Sequence, residues 1–149
     1  MKLIALSYFL IMQPSSGDSI ISIDSYLKMI SFEEASKSKY ILILPLNYDY
    51  YVDNHWVNQF LNFKYVYTEL SVIIVERDVD IIKELVTNRK LHIRYDTKGV
   101  FFNSGLFNGS PLLCTKNITG YACANLNLFN AYQLKVDLFR KIKKKSIVD

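Results

Sequence analysis

Three segments of the chain are apolar at nearly every position, which is the pattern of strands covered on both faces of a sheet. They are Lys2–Met12, Tyr40–Leu46 and Leu70–Val75, the last being the strongest part of a longer candidate strand, Lys64–Val75. Each of them is followed by a stretch with apolar residues at helical spacing. Three successive strand–helix units predict right-handed crossovers and a parallel sheet.

The stretches with helical spacing of apolar residues are 20–30, 54–62, 79–88 and 127–142. Asp18 or Asp24 is a candidate N-cap for the first helix, because a carboxylate accepts hydrogen bonds from the free N–H groups of a first turn. Ser31-Phe-Glu-Glu34 has the sequence of a capping box and predicts that a helical turn starts there. The last helix is expected to begin at Asn127 or Asn130.

A β-hairpin is predicted next to the third helix. Leu91–Tyr95 and Val100–Phe102 alternate apolar and polar residues on either side of Asp96-Thr-Lys-Gly99, a sequence typical of a turn. The following segment, Asn103–Asn117, reads as a loop-rich insertion with a small ribbon at Leu112–Thr115.

These elements predict one domain, residues 1–149, of the α/β class. The expected architecture is a three-layer sandwich with a mostly parallel central sheet, an antiparallel edge hairpin and a C-terminal helix. An α+β layout is the alternative, in which Lys64–Val75 bends into a hairpin.

Composition places this domain among globular proteins. Half of the 149 residues are apolar and 21% are charged, which excludes general disorder. The chain has 11 Tyr and 9 Phe beside only 5 Gly and 3 Pro, and A/T-rich codons encode its abundant residues. We therefore expect a viral, organellar or other A/T-rich genome. No apolar run is long enough to span a bilayer.

The net charge of +4 lies entirely in a basic C-terminal tail, residues 140–149. Residues 1–139 hold 13 basic and 13 acidic side chains and are formally neutral. The basic residues of the tail are Arg140, Lys141, Lys143, Lys144 and Lys145. Because attraction to phosphate or to an acidic surface is concentrated there, the tail predicts contact with nucleic acid or an acidic partner. Tyr65 and Tyr67, on one face of a strand, are candidates to stack on bases or to anchor a protein partner.

A second candidate site lies where the predicted parallel strands end, since ligands of α/β sheets bind beyond the carboxyl ends of strands. Hydroxyls and backbone amides after the first strand are suited to a phosphate or nucleotide, and carboxylates follow the other two strands. The residues are Ser15, Ser16, Gly17, Ser19, Asp49 and Glu76. Neither the dinucleotide nor the P-loop fingerprint is present. For Ser15–Ser19 the alternative is an ordinary capped turn. For the carboxylates, the alternative is that Asp78 caps a helix while Asp49 and Glu76 face water.

No sequence motif identifies a catalytic or metal site. His55 and His92 lack the spacing of zinc ligands, and His92 alternates with apolar neighbours, so it is expected to face outward. We predict no catalytic residue, no metal and no cofactor. If the protein is intracellular, Cys114 and Cys123 should be reduced and partly buried.

The segment Ala35–Phe60 is loosely similar to the middle of Toll/interleukin-receptor (TIR) domains. In that family a strand preceded by serine leads to a helix that contains tryptophan, as in Ser36–Leu46 followed by Trp56. The resemblance covers about a sixth of the chain. It departs at Gln59, near where the NAD-cleaving members place a glutamate, and too few residues precede Tyr40 for the first strand units of the family.

The first seventeen residues leave two localisations open. Lys2, an apolar stretch and the small residues Ser15 and Gly17 imitate a secretory signal peptide, Met1–Gly17. Asn117-Ile-Thr119 matches a glycosylation acceptor, and the two cysteines are able to pair. We nevertheless expect an intracellular protein whose first apolar stretch is a buried strand, with secretion as the alternative.

The sequence favours a non-enzymatic binding or accessory protein that docks on a larger assembly of protein or nucleic acid, including RNA. The alternatives are a small Rossmann-like enzyme or sensor that handles a nucleotide, and a secreted viral-type effector with one disulfide. The oligomeric state is left open.

Overall fold

The computed structural model describes residues 21–46, 68–78, 80, 92–107 and 110–140, together with the backbone of 141–145. Its strands are β1 (Tyr40–Pro45), β2 (Leu70–Val75), β3 (His92–Asp96), β4 (Leu112–Asn117) and β5 (Gly120–Asn125). Its helices are α1 (Ile23–Met29), a 3-10 helix (Glu33–Lys37), the short α2 (Val100–Asn103) and α3 (Leu128–Lys145).

The described strands form one mixed sheet in the order β3-β2-β1-β4-β5. The β1–β2 and β2–β3 pairs are parallel, whereas β1–β4 and β4–β5 are antiparallel. The predicted adjacency of Tyr40–Leu46 and Leu70–Val75 as parallel strands is confirmed, and so is the α/β class. The predicted strand Lys2–Met12 lies outside the described residues.

Two hydrophobic clusters cover the two faces of this sheet, because successive strand residues point to opposite sides. Leu42 and Val72 pack with Ala131, Leu134 and Leu138 of α3 on one face. On the other face, residues of the same strands pack against α1, the 3-10 helix and α2. β1 and β2 are therefore buried at every position, as their nearly continuous apolar sequences predict.

The first helix ends in a way that overturns the predicted capping box. Ser31 has a φ of 54°, and its N–H donates to Lys28 while that of Phe32 donates to Leu27. This is a Schellman motif, in which a left-handed residue terminates a helix. Ser31 therefore ends α1 instead of capping the next turn. The predicted helical turn itself is confirmed as the 3-10 helix that begins at Glu33, which has no side-chain cap.

The N-cap of α1 also differs from the prediction. The Ser22 hydroxyl accepts the Ser25 N–H at 3.2 Å, and Asp24 lies in the first turn of the helix. Asp18, the other candidate, lies outside the described residues.

The predicted hairpin at Leu91–Tyr95 and Val100–Phe102 is wrong. β3 is a third parallel strand, paired with β2 from Ser71 opposite His92, and the chain then turns into α2. Gly99, with a φ of 67°, takes the left-handed conformation that this turn requires. Alternation identifies a half-exposed strand but does not give the direction of its neighbour.

The antiparallel hairpin of the sheet is formed by β4 and β5 instead. Its register places Cys114 directly opposite Cys123, with their Cα atoms 4.0 Å apart, and a disulfide joins them. The expectation of reduced cysteines applies to an intracellular protein, and the bonded pair is instead the state expected of the secreted alternative. Directly opposed strand residues point to the same face, which brings the two sulfurs together.

The predicted C-terminal helix is confirmed as α3, and its start is fixed by two asparagines. The Asn127 side chain accepts the Asn130 N–H at 2.9 Å, and the Asn130 side chain accepts the Asn127 N–H at 2.8 Å. This reciprocal arrangement satisfies two donors that a helix start leaves free.

Candidate functional site

The carboxyl ends of β2 and β3 bear two buried carboxylates, although only one of them was predicted as a site residue. Glu76 is 2% exposed and accepts the Asp78 N–H at 2.8 Å through Oε1, so the expectation that it faces water is wrong. Asp78 in turn accepts the Asp80 N–H at 2.9 Å, as a helix N-cap does. The Glu76 side chain thus stabilises the turn that follows β2.

Asp96, at the end of β3, is the second buried carboxylate and is also 2% exposed. It accepts the Tyr26 hydroxyl at 3.1 Å, the Val100 N–H at 3.0 Å and the Phe101 N–H at 2.8 Å. One side chain therefore joins α1, β3 and α2. With both oxygens engaged inside the protein, Asp96 holds the fold together instead of meeting a ligand.

A cleft of about 280 Å³ lies between the end of α1 and the loop after β3. The side chain of Arg94 crosses it and donates to the carbonyls of Ile30 and Ser31, which end α1. Lys98 and Asp96 also line the cleft. Because Arg94 and Asp96 are engaged by the protein itself, their arrangement stabilises the position of α1 against the sheet.

Burial raises the pKa of Tyr26 above its ordinary value of 10.0, and the charge of Asp96 and their hydrogen bond add to the effect. The neutral phenol is thus favoured in the folded state, and its contribution to stability is present below pH 10 and lost at higher pH. We expect the Tyr26 contribution to the free energy of unfolding to fall by about 1.4 kcal/mol per pH unit above pH 10.

Tyr26→Phe should therefore be less stable than the original chain at pH 8 and approach it near pH 11 in urea unfolding experiments. Tyr132→Phe is the matched control, since Tyr132 is 64% exposed. Parallel stability curves of the Tyr26→Phe variant and the original chain would contradict the expectation.

A chain of polar side chains crosses the opposite end of the sheet. The Ser38 hydroxyl lies 2.7 Å from that of Ser71, which lies 2.7 Å from Nδ1 of His92, and Nε2 of His92 lies 3.8 Å from Glu34. Serine, histidine and an acid are the parts of a hydrolytic triad. Ser71, however, is completely buried within β2, so its hydroxyl has no access to a substrate.

The sequence does not predict this series of polar side chains, because its members come from three distant segments. The register that sets Ser71 opposite His92 brings them together, and His92 is exposed as predicted. The contacts tie the 3-10 helix to β2 and β3.

The basic tail begins within α3, which continues as a helix through Lys145. Arg140 is exposed, and the backbone of Lys141, Lys143, Lys144 and Lys145 is helical. Asp137, the acid nearest to them in α3, accepts the Tyr40 hydroxyl at 2.8 Å through Oδ2. Its carboxylate is therefore directed to the sheet.

Two lysines that no sequence pattern indicates, Lys39 and Lys116, lie at the end of the sheet where Asp137 of α3 contacts Tyr40. Lys39 precedes β1, and its Nζ lies 4.9 Å from the ring centre of Tyr40. The hydrogen bond to Tyr40 raises the pKa of Lys39, so its positive charge is favoured. Lys116, whose N–H donates to the Lys39 carbonyl at 2.8 Å, is exposed. Their positions follow from strand pairing and not from sequence spacing.

Most of the other predicted site residues lie outside the described residues. These are Ser15, Ser16, Gly17, Ser19, Asp49, Tyr65 and Tyr67. Among the part of the chain that is described, no three His, Cys, Asp or Glu side chains are grouped as metal ligands, and no helix is long and apolar enough to cross a membrane.

No family model, curated protein or solved structure was found to match this chain. The local similarity of Ala35–Phe60 to TIR domains adds no residue to the site, since Gln59 and Phe60 lie outside the described residues.

Proposed function

We propose that this protein is a non-enzymatic, intracellular binding or accessory protein that docks on a larger assembly and contacts nucleic acid through the basic end of α3. The observation that carries the proposal is the continuity of α3 through Lys145. A helical backbone holds Arg140 and the four lysines in one compact segment, so their charges act on the same region of a ligand.

The charge density of this segment exceeds what the helix itself requires. Cations near a helix C-terminus complement the macrodipole, but each contributes only about 0.3–1 kcal/mol and the effect is confined to the last turn. Five basic residues among positions 140–145 repel one another. Asp137, the acid of α3 nearest to them, accepts a hydrogen bond from Tyr40. A polyanion would relieve this repulsion and release counterions on binding.

Replacing Lys143, Lys144 and Lys145 by Gln should weaken binding to a nucleic-acid duplex about tenfold and reduce the slope of log affinity against log salt by about 2–3, since each lost phosphate contact removes about 0.9 from the slope. Affinity is measured by fluorescence anisotropy at several salt concentrations.

The matched control replaces Lys28, Arg77 and Lys98 by Gln, because all three are exposed and none belongs to α3. It removes the same charge and should leave the slope nearly unchanged. Equal losses of affinity in both variants would show that only the net charge of the protein matters. Binding of an acidic protein in place of the duplex would identify the other class of partner. Either result would overturn the nucleic-acid proposal.

The disulfide supports a second candidate, a secreted effector in which Met1–Gly17 is a signal peptide. Disulfides persist in oxidising compartments and are rare in the cytosol. The two candidates therefore differ in the redox state of Cys114 and Cys123 in the cell.

We also propose that the complete fold is a three-layer sandwich. Support comes from the hydrophobic clusters on both faces of the sheet, one packed under α3 and the other under α1 and α2.

A further inference from the structure

The strand β5 forms an edge of the sheet. In the described part of the chain it pairs with β4 and has no strand on its other side. Ala122, Cys123, Ala124 and Asn125 are all exposed, so both faces of this strand are in contact with solvent. An edge of this kind offers backbone donors and acceptors to a further strand.

The pairing of β4 shows which groups of β5 point outward. Lys116 donates its backbone N–H to the residue before β1, so its backbone groups face β1. The neighbouring Thr115 then faces β5, where it is paired with Ala122. Because hydrogen-bonded and non-hydrogen-bonded pairs alternate, the N–H and C=O groups of Tyr121 and Cys123 point away from the sheet.

This edge lacks the features by which proteins usually prevent strand addition. Natural edges are protected by charged side chains, proline or a bulge. β5 contains no charged residue and no proline. Its register with β4 is continuous from Gly120 to Asn125, so there is no bulge. Among the described residues the strand is therefore neutral, free of a bulge and open to a partner strand.

We propose that two copies of this chain associate through β5, with the two strands antiparallel and Tyr121 of each copy opposite Cys123 of the other. A two-fold axis at Ala122 generates both pairs at once, and each pair exchanges two backbone hydrogen bonds. This register avoids the Asn125 carbonyl, which already accepts the Asn130 side chain at 2.7 Å.

The side chains of β5 fit a second copy of the same strand. At the axis, Ala122 lies opposite Ala122 of the second copy in a non-hydrogen-bonded pair, where Cβ atoms approach most closely and small residues pack without a clash. The neutral strand places no like charges in contact. Both faces of each β5 strand are exposed, and its side chains are uncharged and mostly small. Each strand therefore meets an uncharged and mostly small sequence in the other copy. The resulting dimer carries two basic α3 ends, which raises its avidity for an extended polyanion.

The test is to place a charge at the axis. Ala122→Lys sets two like charges directly opposite each other and should raise the dimer dissociation constant by about tenfold or more in sedimentation experiments. Ala122→Thr is the matched control, because it keeps the strand neutral and favours β structure. An equimolar mixture of Ala122→Lys and Ala122→Asp should form a heterodimer while the lysine variant alone stays monomeric.

Hydrogen exchange provides a second measurement on the unmodified chain. The amides of Tyr121 and Cys123 should become more protected as protein concentration rises. A chain that stays monomeric, or a dimer that Ala122→Lys leaves unchanged, would overturn the proposal. Protection that does not depend on concentration would also overturn it, since another segment of the same chain would then cover the edge.

Discussion

Replacing Asp96 by Ala is expected to lower the free energy of unfolding by about 3–5 kcal/mol. The substitution removes the acceptor of the Tyr26 hydroxyl and of two backbone N–H groups. Tyr26 and Phe101 are completely buried, so their donors have no access to water as a substitute. Each buried donor left without a partner costs about 1–3 kcal/mol.

Urea unfolding at neutral pH measures this effect, with Asp24→Ala as the control. Asp24 is exposed in the first turn of α1, where a carboxylate contributes less than about 1 kcal/mol. Asp96→Asn should lose less stability than Asp96→Ala, because the amide oxygen of asparagine still accepts some of these hydrogen bonds. If Asp96→Ala is no less stable than Asp24→Ala, the carboxylate does not hold α1, β3 and α2 together.

The central strands were predictable because their sequences are almost entirely apolar, which indicates a strand that is buried on both faces of a sheet. β1 and β2 are apolar except at Ser71 and are buried throughout. Of the predicted strand Lys64–Val75, the strongest part, Leu70–Val75, is β2, whereas residues 68–69 form a turn. The pairing of β3 was not predictable in the same way. Four of its five residues are exposed or partly exposed and only Asp96 is buried, a pattern that fits a hairpin as well as a parallel edge strand. The carboxylate of Asp96 accepts the N–H groups of Val100 and Phe101, at the start of α2, where the sequence predicts the second strand of a hairpin.

β5 was missed for a different reason. Tyr-Ala-Cys-Ala-Asn has little β-propensity apart from Tyr121 and no buried face to produce alternation, since Ala122 to Asn125 are all exposed. It is a strand because β4 offers it a complete ladder and because its disulfide and the Tyr121 hydroxyl fix it. That hydroxyl donates to the Ser38 carbonyl at 2.6 Å. Such contacts between distant segments are not visible in local sequence.

The residues of the candidate site also differ in whether they are local in sequence or are brought together by contacts between distant segments. The basic end of α3 is local in sequence, so Arg140 and the lysines after it could be selected from charge alone. Lys39 and Lys116 join that end of the sheet only through the pairing of β1 with β4. The contact between Tyr26 and Asp96 joins residues 70 positions apart, and no pattern in the sequence relates them.

Reduction of the Cys114–Cys123 disulfide is expected to lower the free energy of unfolding by about 2–3 kcal/mol. The bond closes a short loop with a sequence separation of 9, and the entropy of that closure in the unfolded chain sets the magnitude. For a chain of this length the melting temperature should fall by about 5–10 °C. Differential scanning calorimetry with and without a phosphine reductant measures the change.

The double variant Cys114→Ala and Cys123→Ala is the control for this experiment. Because the chain contains only these 2 cysteines, the variant has no target for the reductant, and its melting temperature should match that of the reduced protein and not respond further. If the melting temperature of the original chain does not change when the reductant is added, the bond is absent or contributes nothing to stability. Alkylation of free thiols in cells that produce the protein then separates the two functional candidates. A pair that resists alkylation before reduction supports the secreted effector, whereas two alkylated thiols support the intracellular binding protein, because the cytosol keeps thiols reduced.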